Sequence, residues 1–125
     1  MEPVTCPFCQ PEADRIILQD DAGLVLADRY PVVPGHLLII PRRHIARYFQ
    51  ATTAEKHALW DLVDRAKAHL DAQYSPDGYT IGVNDGEAAG QSVFHLHIHL
   101  IPRRNGDVAR PRGGVRHVIP GKGNY

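Results

Sequence analysis

An excess of charge of one sign is what this 125-residue chain most plainly lacks: fourteen Lys and Arg balance fourteen Asp and Glu, for a formal net charge of zero. No global field draws it to nucleic acid or to an anionic membrane, so any recognition of phosphate has to be local. Long apolar runs are absent as well, which leaves no candidate for a membrane-spanning helix. Met1-Glu2-Pro3-Val4 has neither the basic nor the apolar region of an export signal, and the expected location is cytoplasmic. There are only two cysteines, too few for a disulfide framework; without an export signal such a pair points to metal or redox chemistry. Neither an internal repeat nor a low-complexity tract is present. The length suits one domain that buries roughly two-thirds of its unfolded surface without cross-links. The expected organisation is therefore a single domain over 1–125, with a core at about 6–107 and a Gly-, Pro- and Arg-rich tail at 108–125.

What is present is histidine, eight in all, three of them in Gly90-Gln91-Ser92-Val93-Phe94-His95-Leu96-His97-Ile98-His99-Leu100-Ile101-Pro102. Side chains on a strand alternate between faces, so His95, His97 and His99 are expected on one face and Phe94, Leu96, Ile98 and Leu100 on the other. Strict alternation over eight residues predicts a half-buried strand. Three imidazoles side by side stay mostly neutral near pH 7, because each positive neighbour disfavours charging the next. A neutral imidazole is a nucleophile, a base or a metal ligand.

The rest of the chain frames that stretch. Cys6-Pro7-Phe8-Cys9 admits two readings. A redox pair sits after a strand at the start of a helix, for which five preceding residues and Pro11 leave little room, so a metal is favoured. A tetrahedral zinc site needs two more ligands, for which histidine is the natural supplement, although spacing alone does not choose them. Arg15–Asp20 and Leu24–Asp28 flank Asp21-Ala22-Gly23 and predict a hairpin. His36–Pro41 predicts a third strand, apolar enough to be buried on both faces, followed by Arg42, Arg43 and Arg47 as a solvated basic edge. The capping box Thr52-x-x-Glu55, followed by Leu59, Leu62, Val63, Ala66 and Leu70, predicts a helix from about Thr53 to Gln73, closed by Ser75-Pro76-Asp77-Gly78. His57 and His69 fall outside its apolar stripe and are placed on the surface, and Trp60 lies just beside the stripe. Tyr79–Asn84 predicts a fourth strand, and Asp85–Gly90 the loop into the histidine stretch. Beyond Pro102, Arg103, Arg104, Arg110, Arg112, Arg116 and Lys122 stand against one acid, Asp107, which marks either a solvated tail or an anion site.

Gln91-Ser92-x-x-His95-x-His97-x-His99 resembles the signature of the histidine triad, or HIT, family, and the likeness runs from about Cys6 to Asp107. The resemblance implies an α+β fold: an antiparallel sheet of about five strands, one long helix on a face, and pairing as a homodimer. It further implies a hydrolase that cleaves at the α-phosphorus of a nucleoside phosphate conjugate, with His97 as nucleophile forming a nucleotidyl-histidine intermediate, and His95, His99 and His36 beside it. A nucleotide substrate, of adenine or another purine, would be held by Asp28 at the ribose and by Asn84, Gln91, Ser92 and His99 around the phosphate. In members with an amino-terminal C-x-x-C the metal ligands correspond to Cys6, Cys9, His44 and His95, which would hold a structural Zn2+. Histidine rather than glutamine at position 99 favours the hydrolase branches over the transferases. Pro31–His36 and His99–Arg103 are similar to the dinucleoside polyphosphate hydrolases, whereas the cysteines are similar to bacterial relatives of the phosphoramidase branch, so the leaving group stays open. A different class of function, a non-catalytic nucleotide-binding module, is the alternative; a redox protein using Cys6 and Cys9 is another.

Overall fold

The computed structural model describes residues 6–124; Met1–Val4, on which the location was judged, lie outside them. Five antiparallel strands, β1 (Ile16–Gln19), β2 (Gly23–Ala27), β3 (Leu37–Pro41), β4 (Gly78–Gly82) and β5 (Ile98–Arg103), form one sheet in the order β1-β2-β3-β5-β4. A single long helix, α1 (Thr53–Tyr74), lies on one face. It is the only α-helix among the described residues, and no helix there is long and apolar enough to cross a membrane.

Local chemistry sets each element. In the β1–β2 turn, one Asp20 oxygen accepts from the amides of Ala22 and Gly23, both at 2.9 Å. Gly23 has no substitute, because a Cβ there would stand 2.5 Å from the carbonyl oxygen of Ile40 on β3. The expected capping box forms in full: Thr52 Oγ1 accepts from Glu55 N–H, and Glu55 returns a bond to Thr52 N–H. Arg43 then grips the same Glu55 carboxylate with two bonds, holding its pKa down at about 2. The helix runs one residue past Gln73, because Tyr74 packs in the helix-side core and against Gly35. The left-handed residue that ends it is Ser75 (φ 47°), and Gly78 instead opens β4.

The sheet is covered on both faces. Val25, Leu37, Ile39, Ile98 and Leu100 meet the helix stripe Leu59, Leu62, Val63, Ala66 and Leu70, while Leu24, Leu26, Leu38 and Ile40 pack against Phe8 on the other side. β3 is thus buried on both faces, as its composition implied. His57 is exposed, whereas His69 is half-buried rather than on the surface.

Two expectations are corrected. The histidine strand begins only at Ile98, so His95 and His97 precede it in irregular extended chain. β3 pairs with β5 only through Leu37–Ile39 and β4 ends opposite His99; upstream, Leu96 N–H turns instead to the carbonyl of Ile45 and the His95 ring takes the carbonyl of Pro41. Phe94, expected in the core, is 52% exposed, and the core takes Leu96, Ile98 and Leu100. The arginines after β3 are exposed, as expected of a solvated basic edge, and are also paired: Arg42 bonds Gln19 and the carbonyl of Asp20, Arg43 binds Glu55, and Arg47 binds Asp85. The tail also folds back, with a 3₁₀ turn at Gly114–Val118 lying against β4.

Candidate active site

Each clustered imidazole has its proton placed by a neighbouring group. His97 Nδ1–H donates to the carbonyl oxygen of His95 at 2.9 Å, so the tautomer that makes this bond carries its bare nitrogen at Nε2. His95 donates Nε2–H to the carbonyl of Pro41 at 2.8 Å, so its Nδ1 is the bare one. At His36 the order reverses. The amide of Val32 donates to Nδ1, so the proton sits on Nε2 and is donated to His99 Nδ1 at 2.9 Å. His99 therefore keeps its own proton on Nε2, as a hydrogen-bond donor. Asp28, 3.3 Å from His36 Nε2, stands behind this pair.

Burial disfavours the charged form of His36, His95 and His99. His99 is pushed down to about 4, first by burial and then by His97 and His36, against a smaller upward pull from Asp28. His36 is lowered by burial and His97, with Asp28 opposing. His95, fully buried, is lowered by its desolvation and by His44 and His97, partly offset by its bond to Pro41.

His97 and His99 face a cleft of about 340 Å³ that also takes in Asp28, Asn84 and Ser92, so the chain brings these five expected residues to one opening. His36 reaches it through His99. The Asp28 carboxylate accepts from Tyr30 N–H at 2.8 Å and keeps further acceptor capacity. Gln91 does not line the cleft. Its side chain is buried and engaged with backbone, accepting from Gly86 N–H and donating to the carbonyls of Ala46 and Val93, which ties down the loop before the histidines. Arg47 and Tyr48 N–H clasp Asp85 at the start of the same loop.

Some lining residues were not expected. Phe8 packs edge-on to His97, ring centres 5.1 Å apart, and walls the cleft. Its place between the two cysteines was the available signal. Arg15 and Arg29 also line the cleft and supply local positive charge in a neutral chain; nothing in their spacing singled them out.

Behind the cleft, Cys6, Cys9, His44 and His95 converge, with all four donor atoms within 4.8 Å of one another. Cys6 Sγ and Cys9 Sγ lie 3.4 and 3.5 Å from His95 Nδ1, and His44 Nδ1 lies 3.2 Å from Cys9 Sγ and 3.1 Å from His95 Nδ1. This group could hold a metal. Burial and the adjacent Cys6 thiol push Cys9 up, opposite to the depressed thiol of a redox nucleophile. Asp28, His36 and His99 also cluster, but the proton on His36 Nε2 makes that atom a donor rather than a ligand.

The HIT domain family model matches residues 10–106. The chain belongs to the HIT domain family. A relative from Dictyostelium discoideum named bis(5'-adenosyl)-triphosphatase is 36% identical over 93 residues, covering 74% of this chain and 62% of its own length. Among the first curated HIT relatives, two longer ones are covered over only 22% and 43% of their lengths. An uncharacterised HIT-like protein of Mycobacterium tuberculosis is 38% identical over 108 residues, with 83% and 73% covered. A crystal structure of a Zn-bound histidine triad family protein from Mycobacterium smegmatis superposes with a TM-score of 0.75 at 34% identity, covering 82% of this chain and 78% of that one. The five-stranded sheet with its one helix is thus the HIT fold.

Proposed function

We propose that this HIT protein hydrolyses nucleotidyl conjugates, dinucleoside polyphosphates or nucleoside phosphoramidates, through a nucleotidyl-His97 intermediate. The observation that carries the reading is the proton arrangement: a bare Nε2 on His97 beside a protonated Nε2 on His99, both at one cleft. The names of relatives such as the Dictyostelium triphosphatase support the same substrate class.

In this reading His97 Nε2 attacks the α-phosphorus; a P–N bond forms, the bond to the leaving group breaks, and its electron pair departs with that group. Water then attacks phosphorus, the P–N pair returns to Nε2, and the water's proton is released as the nucleoside monophosphate leaves. The carbonyl of His95 stabilises the charge that His97 gains in the adduct, because Nδ1–H strengthens its bond as the ring becomes positive. His99 and Ser92 donate to the phosphate oxygens where charge develops, Asp28 accepts from the ribose hydroxyls, and Asn84 contributes at the phosphate. Gln91, spent on backbone, acts by fixing the loop that carries Ser92.

The four-donor group fits zinc. Bonds of about 2.3 Å to sulfur and about 2.0–2.1 Å to nitrogen place tetrahedral neighbours about 3.3–3.8 Å apart, close to the 3.1–3.5 Å separations seen. Cys6, Cys9, His44 and His95 would hold the ion in a closed, structural site. With a metal bound, Cys6 and Cys9 would serve as thiolates whose charge the ion offsets, and His95, whose carbonyl orients the nucleophile, would be fixed in place.

The reading is tested by chromatography of products after incubation with diadenosine triphosphate and with adenosine phosphoramidate. Adenosine monophosphate should appear with wild type and fall by at least a thousandfold in His97→Ala, while nucleotide binding persists. Binding without product from either substrate would favour the module instead.

A further inference from the structure

Two cations line the cleft, Arg15 and Arg29, and the chemistry above gives neither a task. They are not equivalent. Arg29 is exposed and stands 3.9 Å from the carboxylate of Glu12, which answers part of its charge. Arg15 is half-buried, and its Nε–H donates to the carbonyl of Ala27 at 3.0 Å, which pins the guanidinium against the end of β2. Its two terminal amino groups have no hydrogen-bond or ion-pair partner among the described residues. A planar fork fixed at one corner and unfilled along the rest is ready to meet acceptors on a ligand.

The order of the strands gives Arg15 its place along a bound nucleotide. His99 lies on β5, His36 just before β3, Asp28 just after β2 and Arg15 just before β1, and these strands are neighbours in that order. Pairing puts all four groups toward one end of the sheet: His99 stands opposite Leu38, Ala27 opposite Leu37, and Ile16 opposite Leu26. The amide of Asp28 donates to the carbonyl of His36 at 3.0 Å, which keeps the row in line. Neighbouring strands are about 4.8 Å apart. A phosphate at His97 and His99 and a ribose at Asp28 therefore span two strand spacings. The base leaves the ribose on the side away from the phosphate, and so comes to the next strand, at Arg15. Pro7 and Leu38, which line the same cleft, offer its ring apolar contact.

We propose that Arg15 selects the base, and that the nucleotides this protein takes carry a 6-oxopurine, guanine or hypoxanthine, in preference to adenine. The inference rests on the nucleotide reading above and names its base. A guanidinium donates and never accepts. The O6 and N7 edge of guanine offers two acceptors at a spacing that two N–H groups of an arginine fit together. Adenine keeps the N7 acceptor but carries an amino group at position 6, so a donor there faces a donor. Adenine nucleotides still enter the cleft, with one bond fewer and an unfavourable contact in its place.

Binding of monophosphates tests this without any turnover. Calorimetry on the full chain compares the 5'-monophosphates of guanosine, inosine, adenosine and 7-deazaguanosine. The guanosine and inosine nucleotides should bind alike and about tenfold more tightly than the adenosine one. The 7-deaza analogue, which has a C–H in place of N7, should fall to near the adenosine value. In Arg15→Lys, which keeps the charge without the fork, and in Arg15→Gln, the guanosine and inosine nucleotides should lose most of their advantage. Should either variant fold poorly, the ligand series on the parent still decides. Equal affinity of the parent for the guanosine and adenosine nucleotides would overturn the assignment, as would a preference that survives in both variants. A guanosine preference not shared by inosine would also overturn it, because the 2-amino group would then be what is read. A protein that hydrolyses no conjugate but shows the expected order of affinities would keep the base assignment and refute the reaction; turnover with equal affinities would do the reverse.

Discussion

His97, His95, His36 and His99 are chemically identical side chains given different tasks by one hydrogen bond each. The carbonyls of His95 and Pro41 and the amide of Val32 decide which nitrogen is bare. That the histidines gather was legible from their spacing, but which nitrogen of each ring is protonated was not, because it depends on backbone groups: the carbonyl of His95 within the stretch itself, that of Pro41 on β3, and the amide of Val32 in the loop before β3. Gln91 shows the same gap. Its place beside Ser92 suggested phosphate contact, whereas the folded chain spends its amide on three backbone partners. Gln91→Ala would leave buried backbone groups unpaired and is expected to lower stability by about 1–3 kcal/mol in urea unfolding. A pH dependence follows from the depressed His36 and His99. As pH falls below the ordinary 6.5 the unfolded chain takes up protons at these rings while the folded chain does not, until about 4 for His99. Their contribution to stability is therefore lost as pH drops from about 6.5 toward 4. Thermal melts across pH 7.5 to 4.5 should show the fall starting near 6.5 in wild type and less steeply in His99→Asn.

The hairpin, the two-sided β3 and the capped helix were all legible, because each is set by residues adjacent in sequence: Asp20 and Gly23 at the turn, Thr52 and Glu55 at the cap. The histidine strand was misjudged at its start because upstream of Ile98 the chain gives up the ladder with β3, its Leu96 amide bonding the carbonyl of Ile45 and the His95 ring that of Pro41. The Cys6–Cys9 turn is the element on which the candidate metal group and the cleft meet. Its two cysteines face the histidines while Pro7 and Phe8, between them, line the cleft and cover the sheet. Removing a bound metal would therefore free Phe8 as well as the thiols. Chelation, or Cys9→Ser, is expected to lower the melting temperature by several degrees and to weaken adenosine monophosphate binding severalfold, measured by metal analysis, melting and calorimetry on the same preparation. Unchanged nucleotide affinity in metal-free protein would separate the two sites.

For the molecule as a whole, zero net charge hid a local gathering of positive charge: Arg15, just before β1, and Arg29, just after β2, come to the cleft far from the histidines in sequence. The homodimer implied by the family finds a candidate surface on β4, which pairs only with β5 and carries Ile81 at 42% exposure. Sedimentation should give twice the 13.9 kDa chain mass, and Ile81→Asp should shift it toward one. An unchanged mass in that variant would place the contact elsewhere. The central claim is covalent transfer to His97, and its most direct test is intact mass after brief mixing with diadenosine triphosphate. The quench is alkaline denaturant, because the P–N bond is labile in acid. Wild type should gain one adenylyl group, on His97 by fragmentation, and His97→Ala none. Rapid formation of adenosine monophosphate with no adduct at any mixing time, together with turnover by His97→Ala, would contradict it.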